Sequence, residues 1–250
     1  VIATTLLALS MAKTTQSVDL AWKPTVGDIQ TYNFTIDSKM DMGGSAMQMV
    51  TSFVTQNQIT KVEGDLVTTR GTMRNGASRM IVNGQTMKGP GMPPGRPVDV
   101  VHTKRGILVS VSTPGGNSNL GLFQTLVRPE KLVAPGDKWQ HTWEANKALN
   151  LNRVKIEWTY EGEYLHRGNL KTHKITFVMT ELDKQDPVTG EGTFLLNPLT
   201  TMPHRLDGTI RNFRMDPRAP ASTVSIRAEI RGKVPESESP EVPKLEPELR

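Results

Sequence analysis

The chain of 250 residues has no cysteine at all. That removes a disulfide framework, a thiolate nucleophile, a thiolate metal site and a lipid-anchored cysteine in one step. Aromatic residues are sparse at 5%, and those present fall on apolar faces, which argues against the exposed stacking platform of a nucleic-acid binder. No apolar run approaches the roughly 20 residues a transmembrane helix needs, so the chain is not read as membrane-spanning. Positive charge is scattered and never forms a run, although the net charge is +5. Residues 235–250 carry five Glu against Lys244 and Arg250, a net of −3, so the preceding residues form a mildly basic body ahead of an acidic tail.

What is present divides into five stretches. V-I-A-T-T-L-L-A-L-S-M-A, residues 1–12, reads as the remnant of a signal peptide whose small residues Ser10 and Ala12 flank Met11 at the cleavage site. The mature product is expected to begin near Lys13 and to be exported, periplasmic or extracellular. Residues 13–115 read as a first β lobe, 116–134 as a short helix and connection, and 135–234 as a second β lobe. The Pro/Glu segment 235–250 reads as a disordered tail.

The lobes are rich in Thr, Val, Ile and aromatics, in short runs punctuated by Gly, Asn-Gly, Asp-Gly or Pro. This pattern predicts strands at 28–42, 47–61, 66–74, 78–82, 85–88, 98–103, 107–112, 138–144, 152–164, 171–182, 190–196, 202–214 and 222–233. The expected fold class is mainly β: long antiparallel meander sheets in a curved half-barrel-like or two-lobed architecture. One segment breaks the period. Leu120, Phe123, Leu126 and Val127 recur at helical spacing between an Asn/Ser cap and Pro129, predicting one short mid-chain helix over 117–129. T-V-G-D-I-Q-T-Y (25–32) is echoed by A-P-G-D-K-W-Q-H (134–141), which suggests related lobes. G-P-G-M-P-P-G-R-P (89–97) withholds a backbone donor at four positions and reads as a connection or a flap.

Period-two alternation then assigns faces. With the first turn at Gly43–Ala46, Met42 pairs with Met47, Met40 with Met49, Ile36 with Phe53 and Phe34 with Thr55. Tyr32, Phe34, Ile36, Met40, Met42, Met47, Met49 and Phe53 then share one apolar face. With the later turn at Gly168-Asn169, Trp158 pairs with Met179 and Tyr160 with Phe177, giving a second apolar face. These twelve residues are the candidate ligand-binding set. A sheet with a greasy face must be covered by a second layer, a helix or a ligand, and the predicted helix is short.

Catalytic and metal signatures are weak. The five histidines, His102, His141, His166, His173 and His204, lack close metal spacing. No Gly-x-Ser-x-Gly elbow or recognisable acid/base pair occurs, so neither an enzyme nor a cofactor is supported by motif. The Met-x-Met pairs have the softness for Cu(I), but the same side chains also suit an apolar core or ligand contact. The leading expectation is an exported, non-enzymatic protein binding lipid or acyl chains. The alternatives are a cell-envelope scaffold with a fully packed core and partners such as an envelope protein, and Cu(I) binding by the Met hairpin.

The leader, Gly27-Asp28-x-x-x-Tyr32, the Met hairpin, Pro135-Gly-Asp-x-Trp139 and V-T-G-E-G-T-F-L-L-N-P-L-T-T-M-P-H-R-L (188–206) together resemble a family of uncharacterised exported β-rich bacterial proteins. The greasy sheet with one short helix is similar to the periplasmic lipoprotein-carrier half barrel. That resemblance implies a lipid or lipoprotein partner held on the concave face, and no nucleic acid.

Overall fold

The computed structural model describes residues 17–41, 43–112, 118–149, 151–214 and 220–231. Residues 1–16, Met42, 113–117, Asn150, 215–219 and 232–250, which include the expected leader and Pro/Glu tail, lie outside them. The strands are β1 (Ile29–Asp41), β2 (Ala46–Glu63), β3 (Leu66–Val82), β4 (Gln85–Lys88), β5 (Val98–Thr103), β6 (Leu108–Val111), β7 (Lys138–Trp143), β8 (Val154–His166), β9 (Leu170–Glu181), β10 (Thr189–Leu196), β11 (Pro203–Phe213) and β12 (Ser222–Ile230). They form one antiparallel 12-stranded sheet in the order β6-β5-β3-β2-β1-β12-β11-β10-β9-β8-β7, with β4 on β3. Each half is a meander, and the pairing of β1 with β12 joins the two into one continuous sheet.

The segments predicted at 66–74 and 78–82 are a single strand. Arg74-Asn-Gly-Ala77, which carries turn-type residues, instead forms a bulge: Phe53 pairs with Gly76 and Thr55 with Met73. Turn composition alone cannot distinguish a bulge from a reversal. The helix α1 (Ser118–Phe123) is shorter than predicted. It closes through 3-10-type bonds from Gln124 N to Gly121 O (3.2 Å) and from Thr125 N to Leu122 O (2.8 Å). Beyond it, Arg128 N donates to Arg105 O at 2.7 Å and Trp139 Nε1 donates to Val127 O at 2.7 Å, so tertiary partners take the backbone a longer helix would use.

Both expected hairpin registers are corrected by two residues. Met40 pairs with Met47 and Phe34 with Phe53, because the first turn begins earlier, with Gly43 and Gly44 at positive φ and Gly44 N donating to Asp41 Oδ1 at 2.8 Å. In the later hairpin Trp158 pairs with Phe177, Tyr160 with Ile175 and Ile156 with Met179. Arg167 and Gly168 at positive φ make the turn one residue longer than assumed, and a bulge between Tyr160 and Gly162 adds the second step. A shift of two preserves the faces, so the apolar residues remain together.

The repeated Gly-Asp segments build matching turns. Gly27 and Gly136 both have φ 95, Asp28 and Asp137 return a carboxylate to the backbone N of Thr25 and Ala134, and each Gly N–H donates to the neighbouring long strand, at Ile59 O and Tyr160 O.

The core lies on one face of the sheet, largely over β8–β12. Val154, Ile156, Trp158, Tyr160, Ile175, Phe177, Met179, Phe194, Ile210, Val224 and Ile226 pack there beneath Leu122, Phe123, Leu126, Val127 and Leu20. Phe123 plugs the two layers together. A Cβ on Gly190 or Gly208 would lie 2.8 or 2.4 Å from its ring, so these glycines form a hollow that the fully buried phenyl fills.

Candidate ligand-binding face

The same inner face continues across β1–β4, where the described residues provide no helix above it. Registers place its side chains in rows that cross the strands. One runs Met87–Met80–Met49–Ser38–Val224, another Val82–Met47–Met40–Ser222, and a third Gly76–Phe53–Phe34–Ala228. The Pro-rich segment 89–97 extends the third row. It runs along the edge of β3, where Met92 and Gly76 exchange backbone bonds of 3.1 and 2.9 Å and Gly95 N donates to Met73 O at 3.0 Å. A Cβ on Gly76 would meet Phe53 Cβ at 2.9 Å and Met92 Cβ at 3.2 Å, so the missing side chain lets Met92 close up to Phe53. The prolines are tolerated because the ribbon needs only intermittent pairing at an edge.

Of the expected site residues, the structure brings Tyr32, Phe34, Ile36, Met40, Met47, Met49 and Phe53 onto this face; Met42 lies outside the described residues. Phe34 and Phe53 stack with centroids 5.3 Å apart and planes 3° from parallel. Phe34, Ile36, Met40, Met47, Met49 and Phe53 are half-buried. Beneath them Ser38, Thr51 and Ser78 are buried. Trp158, Tyr160, Phe177 and Met179 occupy the same face farther along, but there they are buried under the helical cover. Met73, Met80, Met87 and Met92 join the face without having been expected there. Alternation alone would put Met73 and Met80 on opposite faces of β3; the bulge between them turns both inward, and Met87 and Met92 follow through their pairing with Met80 and Gly76. On the opposite face Val50 and Val54 are buried as well, so that face is less purely polar than the alternation implied.

At the end of the face where β1 begins, a cavity of about 260 Å³ opens between sheet and cover. Phe34, Ile59, Val100, Leu108, Phe194 and Leu206 line it from the sheet, and Leu126, Arg128 and Trp22 from the cover. β5 and β10 are six strand spacings apart, about 29 Å on a flat sheet. Both supply lining residues to this one small space, so the sheet must curve around it.

The polar groups at the cavity have defined roles. Tyr32 is buried, with its hydroxyl 2.7 Å from Gln30 Oε1 and 3.0 Å from Pro203 O. Burial pushes its pKa well above the usual phenol range, with the nearby Arg128 charge opposing. His102 stacks on Trp22 at 5.0 Å. Its Nδ1 lies 3.1 Å from Thr103 O, which makes Nδ1 the donor and leaves Nε2 to accept from the Thr69 hydroxyl at 3.1 Å in the neutral ring. Burial lowers its pKa, partly offset by the Thr103 carbonyl.

Arg128 is the unusual group. Its side chain is buried at 5% exposure; Nη2 donates to Thr201 O at 2.6 Å, and Nη1 has no hydrogen-bond partner. Among the described residues no carboxylate forms an ion pair with it. Asp28 also lines the cavity but is exposed, with its Oδ2 accepting from Thr25 N. Burial brings the pKa of Arg128 down to about 10, with the Tyr32 hydroxyl opposing. Relative to an ordinary guanidinium, that is a penalty on the charged form on the order of 3 kcal/mol.

A second polar cluster lies elsewhere: His166, His204 and Glu229 bring three ligand atoms within 4.8 Å of one another. Glu229 is already held by Arg167 at 2.7 Å and approached by Arg205 at 3.9 Å. Two guanidinium groups on the only carboxylate disfavour a further cation, so the arrangement reads as a polar network.

No protein-family model and no curated protein matches the chain. Among solved structures it is similar to one described as "Lipid-protein interactions in lipovitellin", with a TM-score of 0.51 and 9% identity over 88% of this chain. The match covers 27% of that chain, so it concerns a part of a larger protein. It is a likeness of fold. The expected exported bacterial family is not matched by any family model, and the supported statement is the coarser one, a mainly β fold of this architecture. No helix among the described residues is long and apolar enough to cross a membrane, a statement that does not extend to crossing by strands.

Proposed function

We propose that the protein holds an apolar or amphipathic ligand, of the lipid or acyl-chain class, on the inner face of β1–β4. The observation that carries this reading is the continuity of an uncovered apolar surface with an apolar cavity in the same sheet. Methionine suits such a surface because its flexible, polarisable side chain adapts to chains of different shape. The similarity to lipovitellin is compatible with this reading at the level of fold. A scaffold with a fully packed core would have no use for the cavity. Export to the periplasm or beyond, inferred from residues 1–12, belongs to the same proposal and places the protein where lipids or lipoproteins move between membranes.

The test is saturable uptake of a fluorescent long-chain lipid by the full chain, with native mass spectrometry to count bound molecules. Phe53→Asp, which puts a charge in the middle of the face, is expected to reduce uptake at least tenfold while the circular dichroism of the sheet is retained. Absence of uptake by the unmodified protein, across single-chain and two-chain lipids, would overturn the reading.

A further inference from the structure

We propose that Arg128 is the anchor for an anionic head group, so that the ligand is a single-chain amphiphile bearing a carboxylate or phosphate, seated head-first in the cavity. The inference rests on the apolar-ligand reading above and names the chemistry that reading leaves open.

Three observations converge on it. Arg128 lines the cavity, is nearly fully buried and keeps one guanidinium nitrogen without a partner. A buried charge without an opposite charge is strongly disfavoured, and an arriving anion supplies what the fold withholds. A guanidinium with a free N–H edge is suited to a carboxylate or phosphate oxygen, which would accept a charge-assisted bond. The surrounding polar groups are neutral or donating: the Tyr32 hydroxyl, the Gln30 and Asn57 side chains and a neutral His102 line the same space, while exposed Asp28 is occupied by its own turn.

The cavity also limits the size of what enters. At about 260 Å³ it lies just under the roughly 300–1,000 Å³ range of small-molecule sites. It therefore accommodates a head group and the start of a chain, and the remainder must leave along the open face. The path for it is marked by Phe34 and Phe53, then Ile36, then the Met40–Met47 and Met49–Met80 pairs. From Tyr32 to Met40 the strand rises eight residues, about 27 Å. Two opposed layers of acyl chains make up about 30 Å of bilayer, so one extended acyl chain fits on this path with room to spare.

The experiment compares four probes on the full chain: palmitate, hexadecyl phosphate, hexadecanol and inorganic phosphate. The expected result is that the two anionic amphiphiles bind at least tenfold more tightly than hexadecanol, and that Arg128→Met removes this preference, so that the three chains bind alike. Arg128→Lys is expected to retain part of the preference, because the charge remains while the planar fork is lost. Should Arg128→Met fail to fold, the preference of the unmodified protein for palmitate over hexadecanol decides the matter by itself. Equal affinity for palmitate, hexadecyl phosphate and hexadecanol would overturn the anchor and leave the apolar-ligand reading standing. Failure of all three chains to bind would overturn that reading as well. Binding of inorganic phosphate that competes with hexadecyl phosphate at equal affinity would assign Arg128 to a free anion and overturn the amphiphile.

Discussion

The two halves of this sheet share an apolar inner face and differ in what lies on it. Over β8–β12 the face meets α1 and the segment after it, and Met179 there is wholly buried. Over β1–β4 comparable side chains have no such cover among the described residues, and Met87 is 44% exposed. The residue type is the same in both places, so composition does not set the difference. A few cover residues do: Phe123 seated on Gly190 and Gly208, with Leu122, Leu126 and Val127 beside it. One half is closed by the described chain itself, and on the proposed reading the ligand covers the other.

The largest expected effect follows from placing the same charge in each half. Met179→Asp buries a carboxylate with no partner and is expected to cost about 4 kcal/mol or more, a large share of the 5–15 kcal/mol by which a domain is folded. Met49→Asp, on the open half, is expected to change the urea midpoint much less while abolishing lipid uptake. Equal destabilisation by the two would show that the open face is closed in solution. Next in size, Phe123→Ala empties the hollow between layers and should cost roughly 3–5 kcal/mol in urea unfolding. Gly208→Ala attacks the same contact from the other side, since its new Cβ would overlap the ring. The double variant should therefore be less destabilised than the sum of the two.

A smaller effect is expected from pH. Burial lowers the pKa values of His102, His141, His173 and His204. A group whose folded pKa lies below its unfolded value binds fewer protons when folded, so stability is fully present above the unfolded value near 6.5 and declines as pH falls through it. Thermal unfolding is expected to shift to lower temperature between pH 7 and pH 5. His102→Gln should flatten part of that slope at the cavity end, and His173→Gln, beside Tyr160 at 2.9 Å, should do so in the covered half.

The apolar inner faces of both halves were legible in residue order, for a physical reason. Strand alternation has a period of two, so an error of two residues in register leaves every face intact; Phe34, Met40, Met47 and Met49 were grouped correctly although their partners were misassigned. What residue order does not encode locally is the third dimension. Arg128 lies within the segment predicted to be helical, and nothing in its local sequence marks it as part of a site. Only the fold brings it beside Tyr32 and Thr201, far away in sequence. Likewise Asn75-Gly76 has the chemistry of a turn, and it becomes a bulge because β2 and the Pro-rich ribbon hold it on both sides.

The smallest effect separates softness from greasiness on the open face. Replacing Met40, Met47, Met49 and Met80 by Leu keeps apolar volume nearly constant, so each change should cost less than about 1.5 kcal/mol. Lipid uptake is expected to persist within a few-fold, because leucine presents a similar apolar surface without the thioether. Cu(I) affinity, measured by competition with a chelator, provides the opposing readout: thioethers select Cu(I) and leucine offers it no ligand. Tight Cu(I) binding that disappears in the variant, together with lipid uptake that was never present, would reassign the rows Met40–Met47 and Met49–Met80 from an apolar contact to a soft-metal site. Retained uptake with negligible copper affinity in either protein would tie the open half's function to its shape and missing cover rather than to sulfur.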